Sequence, residues 1–358
     1  MSSDACRFLV SIHHPAQAHF YRYIIEELRE NGHLVRVCVR NKEMTADLLT
    51  TFDIEHTVLA EAQESLAGTA LSQAKYESKL LREAWLFQPD VLTSIGGIEI
   101  SHIAPMVGAR SLAFMDTPSK LAYRLTTPNL NVTCVPVAYN GNAQGEVRRY
   151  DGYHELAYLH PERFTYEPDK LKLHGVDPTN RLFVVRLVDW GAYHDVGLNG
   201  FDAKTRDNLI SLLAQHGDVY ITSEQSLPPS LAKYELDIPP HLIHDLLAAA
   251  ELYIGDSGTM ATEAALLGTP AVRVSSRIED GDMGNFVELE RQYGLLKSFA
   301  SGQPALEHVK EFLDSPPAPA EWEQQRKQLL SDKRDVTTYA VEQLEQLGIT
   351  SRQKAIYA

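Results

Sequence analysis

The stretch Leu252–Val274, LYIGDSGTMATEAALLGTPAVRV, decides the fold class. An apolar run, Leu252 to Ile254, ends at Gly255. Four small turn residues follow, Asp256-Ser257-Gly258-Thr259, then a helical segment Met260 to Leu267 that Gly268 caps and Pro270 stops, then a second apolar run, Ala271 to Val274. Strand, turn, helix, strand predicts a parallel βαβ unit with a right-handed crossover. The turn is small enough for its backbone N–H groups to approach an anion, and the helix aims its positive N-terminal end at the same spot. Thr259 and Glu263, four residues apart, share one helix face. A phosphate over Ser257 to Thr259 would leave Glu263 one turn down, placed to accept two hydrogen bonds from a ribose diol. The same residues also read as an ordinary strand–turn–helix whose serine and threonine cap the helix, and sequence mechanics alone leave both readings open.

Outward from this stretch the βα rhythm repeats on both sides. In the C-terminal half, strands are expected at Leu182 to Val188 and Val219 to Thr222, with helices at Ala203 to Gln215 and Ile243 to Ala250. In the N-terminal half, Arg7 to Ile12 reads as a buried strand, His19 to Asn31 as a helix closed by Gly32, and Leu34 to Val39 as the next strand. A helix over Leu71 to Phe87, with Leu80, Leu81, Ala84 and Trp85 on one side and Trp85 read as core, precedes a strand at Val91 to Ile95. A short helix at Ile100 to Val107 and strands at Ser111 to Met115 and Val132 to Val135 complete the first half. Tyr139 to Gly175 reads as a linker and partly irregular connection, and Ser315 to Ala320 as a Pro-rich break before one amphipathic helix, Glu321 to Leu347. Two successive series of this kind predict an α/β protein of two Rossmann-like domains with a cleft between them: residues 1–165, residues 176–318, and a C-terminal segment 319–358 packing back toward the first domain.

Composition bounds the function. The 358 residues suit two domains, and 44% hydrophobic with 23% charged content is the profile of a globular enzyme. A net charge of −15, from 48 acidic against 33 basic residues, repels phosphate backbones and argues against nucleic-acid partners. Met1 to Ser11 has no basic segment of a signal peptide, and no run is long enough to span a bilayer, so a cytoplasmic location without a transmembrane segment is expected. Cys6, Cys38 and Cys134 are far apart and lie in strand-like runs, which reads as reduced core thiols rather than disulfides or a zinc site. The chain is compatible with a homodimer.

GDSGTMATEAALLGTPAV resembles the nucleotide-sugar signature shared by the non-hydrolysing UDP-N-acetylglucosamine 2-epimerases and the N-acetylglucosaminyltransferase that completes lipid II, both of GT-B architecture. The resemblance implies that Ser257, Gly258 and Thr259, with Asp256 in the same turn, meet a diphosphate and that Glu263 holds the ribose. Gln88-Pro89-Asp90-Val91 through Gly96-Gly97 resembles the transferase's strand–glycine junction. Asp116-Thr117-Pro118 through Asn131 resembles the segment carrying acceptor or catalytic groups. Ile243 to Ile254 resembles the helix preceding the signature, whose start meets the uracil, here near Ile243. The nearest overall likeness is to an archaeal family of unknown function in this superfamily, on Arg186-Leu187-Val188-Asp189-Trp190, His194-Asp195 and the signature itself. The transferase's Gly-rich first loop is absent; His13-His14-Pro15-Ala16-Gln17-Ala18-His19 stands there. The epimerase's arginine-rich loop is replaced by Asp189 to Asp195.

Candidate side chains follow. His13, His14 and His19 lie after the first strand, where such sheets bind ligands, and a histidine there is suited to general-base work or to capping the next helix. Asp116 ends a strand on the same edge. Arg186, inside an apolar strand, needs either an acid such as Asp189 or a diphosphate. His194 with Asp195 reads as an acid/base pair or a loop cap, Ser223 as a pocket lining or a polar turn, and Asn285 as a sugar contact. These readings imply a metal-independent glycosyltransferase-like enzyme with catalytic candidates His14, His19, Asp116 and His194. It would take a nucleotide sugar, UDP-linked by the resemblance, as substrate, with no other cofactor and an unidentified acceptor. A nucleotide-sugar 2-epimerase and a non-catalytic nucleotide-sugar-binding protein are the alternatives.

Overall fold

The structure is a computed structural model, describing residues 5–42, 44–62, 66–118, 129–141, 146–188, 201–223, 226–278 and 281–356. The chain divides into two compact units, residues 1–163 with 334–358 and residues 164–333.

The first unit is built on a seven-stranded sheet in the order β3-β2-β1-β4-β5-β6-β7. Its strands are β1 Arg7–Ile12, β2 Leu34–Asn41, β3 Thr57–Glu61, β4 Val91–Ile95, β5 Arg110–Phe114, β6 Val132–Pro136 and β7 Glu146–Tyr150. Every neighbouring pair is parallel. A parallel sheet must be covered on both faces, and alternation along the strands supplies the two covers. Leu9, Leu92 and Ala113 join Tyr76, Leu80, Ala84 and Ile100 from helices Leu66–Phe87 and Ile98–Met106. The residues one step along take the opposite face: Phe114 packs on Phe20, and Thr93 bonds Tyr21, both from helix Pro15–Glu30.

The second unit holds a five-stranded parallel sheet in the order β12-β11-β10-β8-β9. Its strands are β8 Leu182–Leu187, β9 Asp218–Ser223, β10 Leu252–Gly255, β11 Ala271–Val274 and β12 Leu296–Phe299. The apolar run of each inner strand is fully buried, and Phe183, Val185, Ile254 and Val272 share a core with helices Ala203–Leu213 and Gly302–Asp314. Two Rossmann-like sheets in sequence confirm the α/β class and the GT-B type of architecture.

Several sequence expectations change. Tyr139 to Gly175 is not a linker: it contains β7, helix Leu156–Leu159 and helix Pro168–Lys172. β7 reads EVRRY because it is a sheet edge, where charged side chains guard unpaired backbone; Arg148 reaches Gln343 of the last helix at 2.7 Å. β3, β12 and the helices Thr45–Thr51, Gly284–Arg291 and Gly302–Asp314 escaped the reading as well. The final segment is two helices, Pro319–Asp332 and Val336–Ile356, rather than one. Asp335 separates them by accepting from the Thr337 N–H at 2.9 Å while pairing with Arg163. Trp85 is not core but 66% exposed. Cys6, Cys38 and Cys134 are buried thiols, none of them in a disulfide. Among the described residues no helix is long and apolar enough to cross a membrane.

Candidate functional site

The signature lies at the carboxyl edge of the five-stranded sheet. β10 pairs with β8 so that Gly255 stands opposite Arg186. The turn is tied to the end of β8: Asp256 Oδ1 accepts the Val188 N–H at 2.7 Å. Ser257 is the N-cap of helix Gly258–Leu267, its hydroxyl accepting the Met260 N–H at 3.3 Å. Residues 256–260 are half-buried, neither core nor open surface. Gly258 is required by packing, because a Cβ there would stand 2.7 Å from Phe286 Cζ. That ring is itself held by the Arg273 guanidinium, 3.8 Å from its centroid, and Arg273 is ion-paired with Asp282. Next to Phe286, Asn285 is 9% exposed, and its Oδ1 is buried with no hydrogen-bond partner. An unpaired buried amide oxygen costs about 1–3 kcal/mol unless something donates to it.

Three further groups stand on this edge. Arg186 Nη1 donates to Thr222 Oγ1 of β9 at 2.9 Å. Ser223 ends β9 and is half-buried. Helix Ile243–Ala249 begins here with Ile243 half-buried. Its second residue, His244, meets Glu263 through Nε2 and Oε1 at 3.1 Å, both side chains 6% exposed. At its other end Thr269 Oγ1 donates to the Leu247 carbonyl at 2.6 Å, so this helix and the signature helix are pinned at two points. The sequence reading missed His244. Its signal was a His-Asp pair at the head of an otherwise apolar helix. His194, with Asp189 and Glu224, lies outside the described residues.

The carboxyl edge of the seven-stranded sheet carries a different chemistry. His14 is the N-cap of helix Pro15–Glu30, its Nδ1 accepting the Ala16 N–H at 3.2 Å. His19 is buried against the rings of Phe52 and Tyr158, each 5.3 Å away. His13 takes part in a buried network that the sequence did not announce. After β4, Gly96-Gly97 turn the chain with positive φ at both residues, and a Cβ at Gly97 would strike Ala113 at 2.7 Å. The turn delivers Glu99 into the first turn of helix Ile98–Met106. Ser11 Oγ donates to Glu99 Oε1 at 2.7 Å and lies 2.9 Å from His13 Nε2 and 2.8 Å from the Tyr76 hydroxyl. His13 Nε2 is 3.3 Å from the same carboxylate oxygen. Burial alone would raise the Glu99 carboxyl, but His13 and Ser11 together hold it down at about 2. One strand further along, after β5, Asp116 follows the same rule. Burial opposes its ionisation, while His154, 3.2 Å away, and Thr117 bring it to about 2. His154 follows β7, the strand the sequence reading passed over.

A family model described as "Protein of unknown function (DUF354)" matches residues 8–279. The chain belongs to the DUF354 family. Among curated proteins none matches it. Solved structures do. This DUF354 chain superposes on the UDP-GlcNAc 2-epimerase of Neisseria meningitidis bound to UDP-GlcNAc with a TM-score of 0.69, at 16% identity over 94% of this chain and 99% of that one. Acinetobacter baumannii MurG gives 0.56 at 13% identity over 95% and 99%. The glycosyltransferase of kitacinnamycin gives 0.58 at 14% over 96% and 99%. At these identities the likeness establishes a GT-B related fold for the DUF354 chain.

Proposed function

We propose that this protein takes a nucleotide diphosphate sugar, UDP-linked, as its substrate and transfers the sugar to a hydroxyl acceptor without a metal ion. The observation that carries the reading is the turn Asp256–Thr259, where a capped helix N-terminus and the unpartnered, buried Asn285 Oδ1 occupy one sheet edge with Arg186 alongside. Backbone N–H groups and a helix N-terminus suit a diphosphate, and they would stabilise it equally as a leaving group. Glu263, its carboxylate oriented by His244, suits a ribose diol. The epimerase structure with UDP-GlcNAc in a similar fold supports the substrate class. The N-terminal unit would supply the acceptor side and the proton-transfer groups.

A second reading, epimerisation of the sugar at C2, is favoured by one observation: two histidine–carboxylate pairs, His13–Glu99 and His154–Asp116, stand on one sheet edge, as acid/base work on two faces of a sugar requires. Incubation with UDP-GlcNAc followed by NMR separates the readings. UDP release with sugar on an acceptor supports transfer. Interconversion with the C2 epimer and no acceptor supports epimerisation. Absence of UDP-GlcNAc binding by calorimetry sinks both. Turnover abolished by chelator and restored by Mg²⁺ or Mn²⁺ would refute the metal-independent chemistry.

A further inference from the structure

His154 stands where β7 gives way to helix Leu156–Leu159, and no sequence motif announced it. Its Nδ1 lies 3.2 Å from Asp116 Oδ2. An ionised carboxylate can only accept, so the ring proton belongs on Nδ1, and a neutral imidazole then carries its lone pair on Nε2. That Nε2 is buried with no hydrogen-bond partner, in a residue only 7% exposed. The hydroxyl of Tyr150, the last residue of β7, is also buried and without a partner. The two rings are nearly parallel, tilted by 10° with centroids 6.5 Å apart, and Phe20 packs on the histidine at 4.9 Å. Two unsatisfied polar groups in adjacent rings are expensive. One needs a donor and the other offers a proton, and a hydroxyl group is the simplest chemistry that answers both.

We propose that His154 is the catalytic proton acceptor of the N-terminal unit, acting on a hydroxyl of a bound sugar or other polyol, with Tyr150 as a second contact and Asp116 as the positioning residue. In the step the hydroxyl O–H bond breaks, its electron pair stays on oxygen, and the proton forms a bond with the Nε2 lone pair. The resulting imidazolium is balanced by the Asp116 carboxylate. The assignment of the hydroxyl to a sugar or acceptor rests on the function proposed above; the Asp116–His154 geometry does not. A carboxylate held as low as Asp116 is a weak base near neutrality, whereas an imidazole is suited to that range. The titratable groups around the pair are Asp116 from the loop after β5 and Tyr150 from β7, with Glu155, Cys134 and Tyr339 coupled to Tyr150; helix Pro15–Glu30 presents Phe20.

Two measurements on the full chain test this. Long-range ¹H–¹⁵N correlation on histidine-labelled protein, assigned by loss of signal in His154→Gln, reads the tautomer. The expected result is a protonated Nδ1 and a bare Nε2; a protonated Nε2 in the neutral ring overturns the proposal. Turnover of UDP-GlcNAc, followed by UDP release or epimer formation, is the second. His154→Gln should lower kcat by about 100-fold or more, remove the acid limb of the kcat profile and leave UDP affinity unchanged. Wild-type kcat in that variant, or loss of the limb in His13→Gln instead, overturns it. If the wild-type protein neither binds nor turns over UDP-GlcNAc, the substrate reading has failed, and the tautomer measurement still decides the role of His154.

Discussion

The two sheet edges were built by the same rule and furnished oppositely. Both are carboxyl ends of parallel strands, where βα turns collect polar groups. On the five-stranded sheet the polar groups nearest the signature turn are largely backbone and neutral: a capped helix end, the Ser257 hydroxyl and the Asn285 amide, with Arg186 bonded to a threonine. On the seven-stranded sheet they are ionised, with Glu99 against His13 and Asp116 against His154. Backbone N–H groups at a helix N-terminus suit an anion. Carboxylates set against histidines repel anions and suit proton transfer. The difference is one of furnishing: a capped helix end on one edge, histidine–carboxylate pairs on the other.

The sharpest way to break this contrast is to remove the charge from the first sheet. Glu99→Ala leaves the buried Ser11 hydroxyl and His13 without their common partner. The expected loss is about 3–5 kcal/mol of stability, the cost of breaking a buried pair, read by urea denaturation. Stability unchanged within about 0.5 kcal/mol would mean the network is ornamental. The same charges predict an acid limb. Glu99 and Asp116 ionise at about 2 in the folded chain, against 4.5 and 3.8 ordinarily. Their stabilisation is therefore complete above the ordinary values and is lost as pH falls toward 2. For Glu99 the shift corresponds to about 3 kcal/mol. Glu99→Gln should flatten the denaturation midpoint between pH 5 and 2 by about that amount; an unaltered profile contradicts the assignment.

The smaller effect belongs to the second sheet. Glu263→Gln keeps the side-chain shape and an oxygen for His244 but loses the charge. UDP affinity should weaken by about 1.5–3 kcal/mol by calorimetry, with the melting temperature nearly unchanged. Equal affinity would leave Glu263 as a pin between two helices and nothing more.

How much of this was legible in the sequence follows from where each signal lives. β1, β4, β5, β8, β10 and β11 are near-continuous apolar runs, because both faces of an inner parallel strand are buried, and they were read to within a residue or so. β3, β7 and β12 are short outer strands with mixed patterns, and they were missed. The signature turn was legible because glycine, serine and proline punctuate it locally. His154, His244 and Glu99 were not, because each is defined by a partner on another element: Asp116 is 38 residues before His154, and Ser11 is 88 before Glu99. Such pairs leave no local spacing to detect. His14 illustrates the converse, since a local signal, histidine before proline at a helix start, corresponds to a cap.

The most direct test of the central claim is hydrogen–deuterium exchange of the full chain with and without UDP. Backbone N–H groups that hold a diphosphate slow their exchange when it binds. The account predicts protection concentrated in residues 255–263, strongest in the turn Asp256–Thr259. UDP binding with protection confined to other elements, or no protection at saturating UDP, would contradict it.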